Sequence, residues 1–68
     1  MKFELINQEY IQLNQLLKHL SLVSTGGEAL IVIDNGEVKV NGEVELRRRN
    51  KLYKGFVVEF RDHKIEIV

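Results

Sequence analysis

Three consecutive arginines, Arg47, Arg48 and Arg49, stand in the stretch "ELRRRNKLYKG", with Lys51 and Lys54 close behind. A guanidinium group is a planar fork of N–H donors that matches phosphate oxygens, and a lysine ammonium serves as a compact charge beside it. Tyr53 lies among them and offers a π-face on which an unpaired base can stack. This spacing suits non-covalent chemistry, the neutralising of phosphates with a base held alongside. Like charges this dense repel one another unless something negative sits opposite. The plain alternative is a solvated loop that aids solubility; the guanidinium forks and the aromatic favour nucleic-acid contact.

The net charge hides this feature. Lys+Arg and Asp+Glu both number ten, so the formal charge is zero. Yet Glu28, Asp34, Glu37, Glu43 and Glu45 precede the basic run with only Lys39 among them, and from Arg47 to Val58 there is no acid. A neutral total made of separated blocks still presents a positive local face.

Other chemistry has less support. The chain has no cysteine, which removes disulfides, thiolate metal sites and a thiol nucleophile and fits a reducing compartment. His19 and His63 are the only histidines, and no further ligands are spaced to join them around a metal. Ser21 or Ser24 with a histidine and Asp34 or Asp62 follows no nucleophile motif. The reading is a non-enzyme without cofactors. "STGG" admits backbone N–H groups binding a phosphate at a helix N-terminus. It is explained better as a helix cap, because Glu28 nearby would repel the anion.

The elements that must position these residues come from one domain, residues 1–68. At 44% hydrophobic, with no proline and no low-complexity tract, the chain should fold as a small globule of modest stability. The longest apolar run, Ala29 to Ile33, is far short of the ~20 residues a bilayer span needs. The N-terminus has no apolar stretch of signal-peptide type, so the expected location is cytoplasmic. "KFELI" alternates as a short strand. Leu13, Leu16, Leu17 and Leu20 recur at helical spacing and predict one apolar helix face, with Lys18 pointing away.

The segment "STGGEALIVIDNGEVKV" leaves two readings open. Thr25 and Glu28 form a capping-box pair, which favours a helix from about Gly26 to Asn35 closed by Gly36. The β-branched "LIVI" and the Asn35–Gly36 dipeptide would instead suit two strands around a hairpin turn. Cap and glycine tip the reading toward helix. Beyond it, Glu37 to Val40 alternates as a strand, Asn41–Gly42 reads as a tight hairpin turn into "EVEL", and the basic segment follows as a loop. "FVVEF" is a further strand, "RDHK" a turn and "IEIV" the last strand.

From Tyr10 to Phe60 the chain resembles the S4 RNA-binding domain, on "STGGEA" and on "GEVKVNGEVE" followed by "RRRNKL" and "LYKGFVVEF". More narrowly it resembles the small stand-alone bacterial S4-like proteins of the YbcJ/YaaA type. The resemblance implies an α+β fold, the αL motif: two packed helices followed by a small, mostly antiparallel sheet, here with a short N-terminal strand. It also implies a groove beside the second helix and the "VNG" hairpin that holds structured RNA, ribosomal RNA or tRNA being candidates. Many S4 domains begin the first helix with Arg-Leu-Asp, where this chain has Gln12, Leu13 and Asn14. Many have cations where it has Gly26, Leu30 and Ile31, and an acid where it has Phe56. RNA contact is therefore expected from Lys18, Lys39, Arg47, Arg48, Arg49, Lys51 and Lys54, with Tyr53 stacking. The apolar Leu30 and Ile31 raise an alternative, a protein-interaction surface on the second helix.

Overall fold

The computed structural model describes residues 1–68. In chain order the elements are β1 (Lys2–Phe3), β2 (Tyr10–Gln12), α1 (Leu13–His19), α2 (Gly26–Asp34), β3 (Val38–Val40), β4 (Glu43–Val44), β5 (Lys51–Tyr53), β6 (Val57–Phe60) and β7 (His63–Ile67). Five strands form one sheet in the order β1-β7-β6-β3-β4, while β2 and β5 make a separate two-stranded ribbon. Only the β1–β7 pairing is parallel. The architecture is the expected α+β arrangement, two packed helices with a mostly antiparallel sheet.

α2 resolves the open choice in favour of helix. Thr25 has extended backbone, and its side-chain oxygen accepts the N–H of Glu28 at 3.1 Å. The Glu28 carboxylate reaches back to the N–H of Ser24, one residue before the expected Thr25, at 2.6 Å. At the other end Gly36 has φ +74°, its N–H donates to the Ile33 carbonyl, and the Glu37 N–H donates to the Val32 carbonyl. This pair of bonds is the Schellman motif, which closes a helix on a left-handed residue. Both ends are thus satisfied locally. The β-branched composition is accommodated because Val32 and Ile33 are buried along with Ala29.

Alternation then does the rest. Val38, Val40, Val58, Phe60, Ile65 and Ile67 point to one face of the sheet and are buried, and Leu13, Leu16, Leu17, Val32 and Ile33 of the helices are buried in the same core. All buried residues are apolar, so no charge has to be compensated inside. The other face is solvent-exposed and charged: Lys39 pairs across the sheet with Glu59, and Glu59 with Lys64.

Boundaries differ from expectation at several elements. β1 and β4 are two residues long, shorter than the "KFELI" and "EVEL" patterns, and β7 begins at His63 after an Arg61–Asp62 turn. The basic segment is a loop only to Asn50; Lys51–Tyr53 is strand, because Leu52 is fully buried and Tyr10–Gln12 supplies a partner edge. Leu20, the last member of the apolar spacing, caps α1 and is half-buried.

Candidate nucleic-acid interface

The basic loop is held in place by its backbone. α1 starts at Leu13 with no side-chain cap on Gln12, so its first N–H groups need other acceptors. The Leu13 N–H donates to the Asn50 carbonyl at 2.9 Å and the Asn14 N–H to the Arg48 carbonyl at 3.0 Å. A turn bond from the Asn50 N–H to the Arg47 carbonyl tightens the loop. Immediately after it, Leu52 inserts into the core and β5 zips onto β2 with Tyr10 opposite Tyr53 and Gln12 opposite Lys51. Main chain and one apolar anchor fix the loop, leaving its charged side chains free to face outward.

Two of the three arginines are met by carboxylates. Arg47 makes a two-pronged contact with Glu45, Nε to Oε2 at 2.8 Å and Nη2 to Oε1 at 3.0 Å, and its backbone N–H donates to the same Oε2. That hydrogen-bonded guanidinium holds the Glu45 carboxyl below the usual carboxylate range. The Arg47 guanidinium is pushed upward in turn. Arg48 reaches across to the C-terminal residue of α2, with Nη2 2.9 Å from Asp34 Oδ2 and Nε 3.3 Å from Oδ1. Arg49 takes part in no ion pair and is exposed. The self-repulsion of the run is therefore relieved internally at Arg47 and Arg48, and Arg49 is left open.

Between the β3–β4 hairpin and β5 lies an open groove of about 860 Å³. Arg47, Arg49 and Lys51 supply its cations, Tyr53 and Phe56 its aromatic wall, and Glu43 and Glu45 its carboxylates. The hairpin is a two-residue turn with φ +52° at Asn41 and +87° at Gly42, the left-handed pair a type I′ turn requires. Asn41 Oδ1 accepts the N–H of Val57 at 2.9 Å and ties the hairpin tip to β6. On the exposed face of the ribbon, Tyr10 and Tyr53 meet edge to face with ring centroids 5.8 Å apart, and Tyr53 meets Phe56 at the same separation. The Lys51 ammonium sits 4.9 Å over the Tyr10 ring.

The eight residues expected at the interface do not all converge. Arg47, Arg49, Lys51 and Tyr53 line the groove, Arg48 lies on its α2 side, and Lys54 occupies the turn after β5. Lys18 is in the last turn of α1, away from the loop docked on that helix's first residues. Lys39 points to the outer sheet face opposite Glu59, because it alternates with the buried Val38 and Val40. No α2 residue lines the groove. Tyr10, Glu43 and Phe56 were not expected as site residues. Three residues at Tyr10–Gln12 are too few for alternation to announce a strand, and Glu43 and Phe56 join the site only through hairpin and ribbon geometry.

Comparison with known proteins shows the family and agrees on the fold. A family model for the S4 domain matches residues 3–68. The chain is 38% identical over 66 residues to "Putative RNA-binding protein YbcJ" of Escherichia coli (strain K12), covering 97% of this chain and 94% of that one. It is 44% identical over 54 residues to "Probable ribosome maturation protein RlbA" of Bacillus subtilis (strain 168), covering 79% of this chain and 76% of that one. The solution structure of YbcJ from E. coli, described as revealing an αL motif involved in RNA binding, superposes with a TM-score of 0.74 at 37% identity, over 98% of this chain and 85% of that one. With its two packed helices, its sheet and its "VNG" hairpin, this chain belongs to the S4 domain family.

Proposed function

We propose that this chain binds structured RNA through the basic loop and the groove beside it, without catalysing a reaction on it. One observation carries the reading: Arg47, Arg49 and Lys51 line a single groove with the Tyr53 and Phe56 rings, on a loop whose backbone is pinned to α1. Cations that follow a backbone, next to an aromatic platform, are how proteins hold RNA with unpaired bases. The S4 membership and the RNA-binding description of YbcJ support the same reading. Ribosomal RNA is the first candidate, from the ribosome-maturation name of the B. subtilis relative, with tRNA second.

Crosslinking in cells followed by sequencing of recovered RNA tests this. The wild-type chain should enrich discrete structured RNAs, and a folded variant with Arg47, Arg48 and Arg49 all changed to glutamine should enrich them less, chiefly through the loss of Arg49. Equal recovery by both would refute the reading. A protein partner is the second reading, favoured by one observation: Ile31 on α2 is 61% exposed. Ile31→Lys should abolish protein capture if that face is used and leave RNA recovery unchanged.

A further inference from the structure

Glu43 is out of place in a groove built only for phosphate. It lines the same groove as Arg49 and Lys51, yet belongs to none of the three ion pairs of the molecule, which are Arg47–Glu45, Arg48–Asp34 and Arg61–Glu37. A phosphate in the groove would be repelled by it. Its side chain is exposed, while its backbone is placed by the hairpin. The I′ turn sets it directly opposite Val40 in the hairpin, and the Asn41–Val57 bond holds that turn to β6. An exposed carboxylate with no internal donor, in a groove of cations and aromatic rings, is open to a ligand that brings donors.

RNA brings few donors. Phosphate and ribose ring oxygens only accept, so the donors are the 2′-hydroxyls and the N–H groups of the bases. Among the four bases, guanine alone places two N–H donors side by side on its Watson–Crick edge, at N1 and N2, and a carboxylate has two oxygens to receive them. The remaining groove chemistry fits the rest of the same nucleotide. Tyr53 is 42% exposed and adjoins Phe56, so it offers a surface for the base, while Arg49 and Lys51 are in no ion pair and supply cations for flanking phosphates, Lys51 from its place over the Tyr10 ring.

We propose that this groove holds an unpaired guanine nucleotide, with the Glu43 carboxylate accepting its N1–H and N2–H, the Tyr53 ring against the base, and Arg49 and Lys51 on the flanking phosphates. It rests on the RNA-binding reading above and adds the base that is read. In this arrangement Arg49 and Lys51 provide affinity and Glu43 provides choice. Glu45 does not compete for the base, because both its oxygens already accept from Arg47.

The test uses fluorescently labelled stem-loop RNAs that are identical except for one loop position carrying guanine, inosine or adenine, in a loop otherwise of uridines. Inosine keeps N1–H and lacks the N2 amino group. The wild-type chain should bind the guanine loop on the order of 10-fold more tightly than the adenine loop, the scale of one good two-pronged base contact. The inosine loop should fall between them. Glu43→Gln, verified as folded by circular dichroism, should bring the three affinities together and leave their salt dependence unchanged. Equal wild-type affinities for the three loops, with binding still salt-dependent, would overturn this inference and leave the RNA-binding reading intact. So would a Glu43→Gln variant that tightens all three equally, since Glu43 would then act only as a repelling charge. Failure to bind any of the loops would overturn both.

Discussion

On the proposed RNA-binding reading, the number of phosphates this loop would neutralise can be counted from salt dependence, and the structure makes that count specific. Affinity falls with salt by roughly 0.7 to 0.9 log units per log unit for each phosphate neutralised. Arg49, Lys51 and Lys54 are free of ion pairs, whereas Arg47 and Arg48 are bonded to Glu45 and Asp34. If only the free cations meet RNA, the slope is about −2 to −3, and a rise from about 50 to 200 mM salt weakens binding roughly 20- to 40-fold. If Arg47 and Arg48 exchange carboxylate for phosphate, five contacts give a slope of about −3.5 to −4.5 and a loss of roughly 130- to 500-fold. Exposed ion pairs are weak, but both of these are two-pronged and Glu45 has only 15% of its side chain exposed, so the three-contact value is the expected one. Fluorescence anisotropy titration of a labelled stem-loop across that salt range reads the slope directly. Arg49→Gln should then flatten it by about one unit, and Arg48→Gln should leave it nearly unchanged. Asp34→Asn, which releases Arg48, should steepen it by about one unit. A wild-type slope shallower than about −1, or an Arg49→Gln variant indistinguishable from wild type, would refute the reasoning.

Tyr53→Ala should weaken binding of RNA with unpaired bases by about 1–3 kcal/mol while keeping the salt slope, because stacking releases no counterions; an altered slope in the same titration would contradict this. Thr25→Ala removes the acceptor for the Glu28 N–H and should cost ~1 kcal/mol in urea unfolding with the fold retained; an unchanged midpoint would show the cap to be idle. Leu52→Ala should cost about 2–5 kcal/mol, since that side chain is fully buried and is the apolar anchor of the basic segment; a loss below ~1 kcal/mol would mean that β5 docks by other means. The folded Glu45 carboxyl is held below its unfolded value by the Arg47 hydrogen bond, so its contribution to stability is complete above the ordinary carboxylate range. It is lost as pH falls through the lowered folded value. Glu45→Gln should therefore reduce the stability gap between neutral and acidic pH, read by thermal unfolding at a series of pH values.

Whatever depends on neighbours in the chain was legible without coordinates. The leucines at helical spacing became the buried face of α1, and Thr25, Glu28 and Gly36 became the two ends of α2, because caps and left-handed glycines act within four or five residues. The Asn41–Gly42 turn followed from φ values that few other residue pairs accept. The clustering of Arg47 to Lys54 against a formally neutral total was equally plain. Arg47 meets Glu45 two residues away, but what faces the other cations was decided by tertiary structure. Asp34 meets Arg48 across fourteen residues because α2 ends where the basic loop docks on α1, and Tyr10 meets Tyr53 because β2 and β5 zip together from opposite ends of the chain. Lys39 was removed from the groove by the two-residue period of its strand, and Lys18 by its place at the far end of α1. A charge pattern along the chain states how many cations are present, but which of them are already neutralised depends on distances through space, and those exist only once the core has closed.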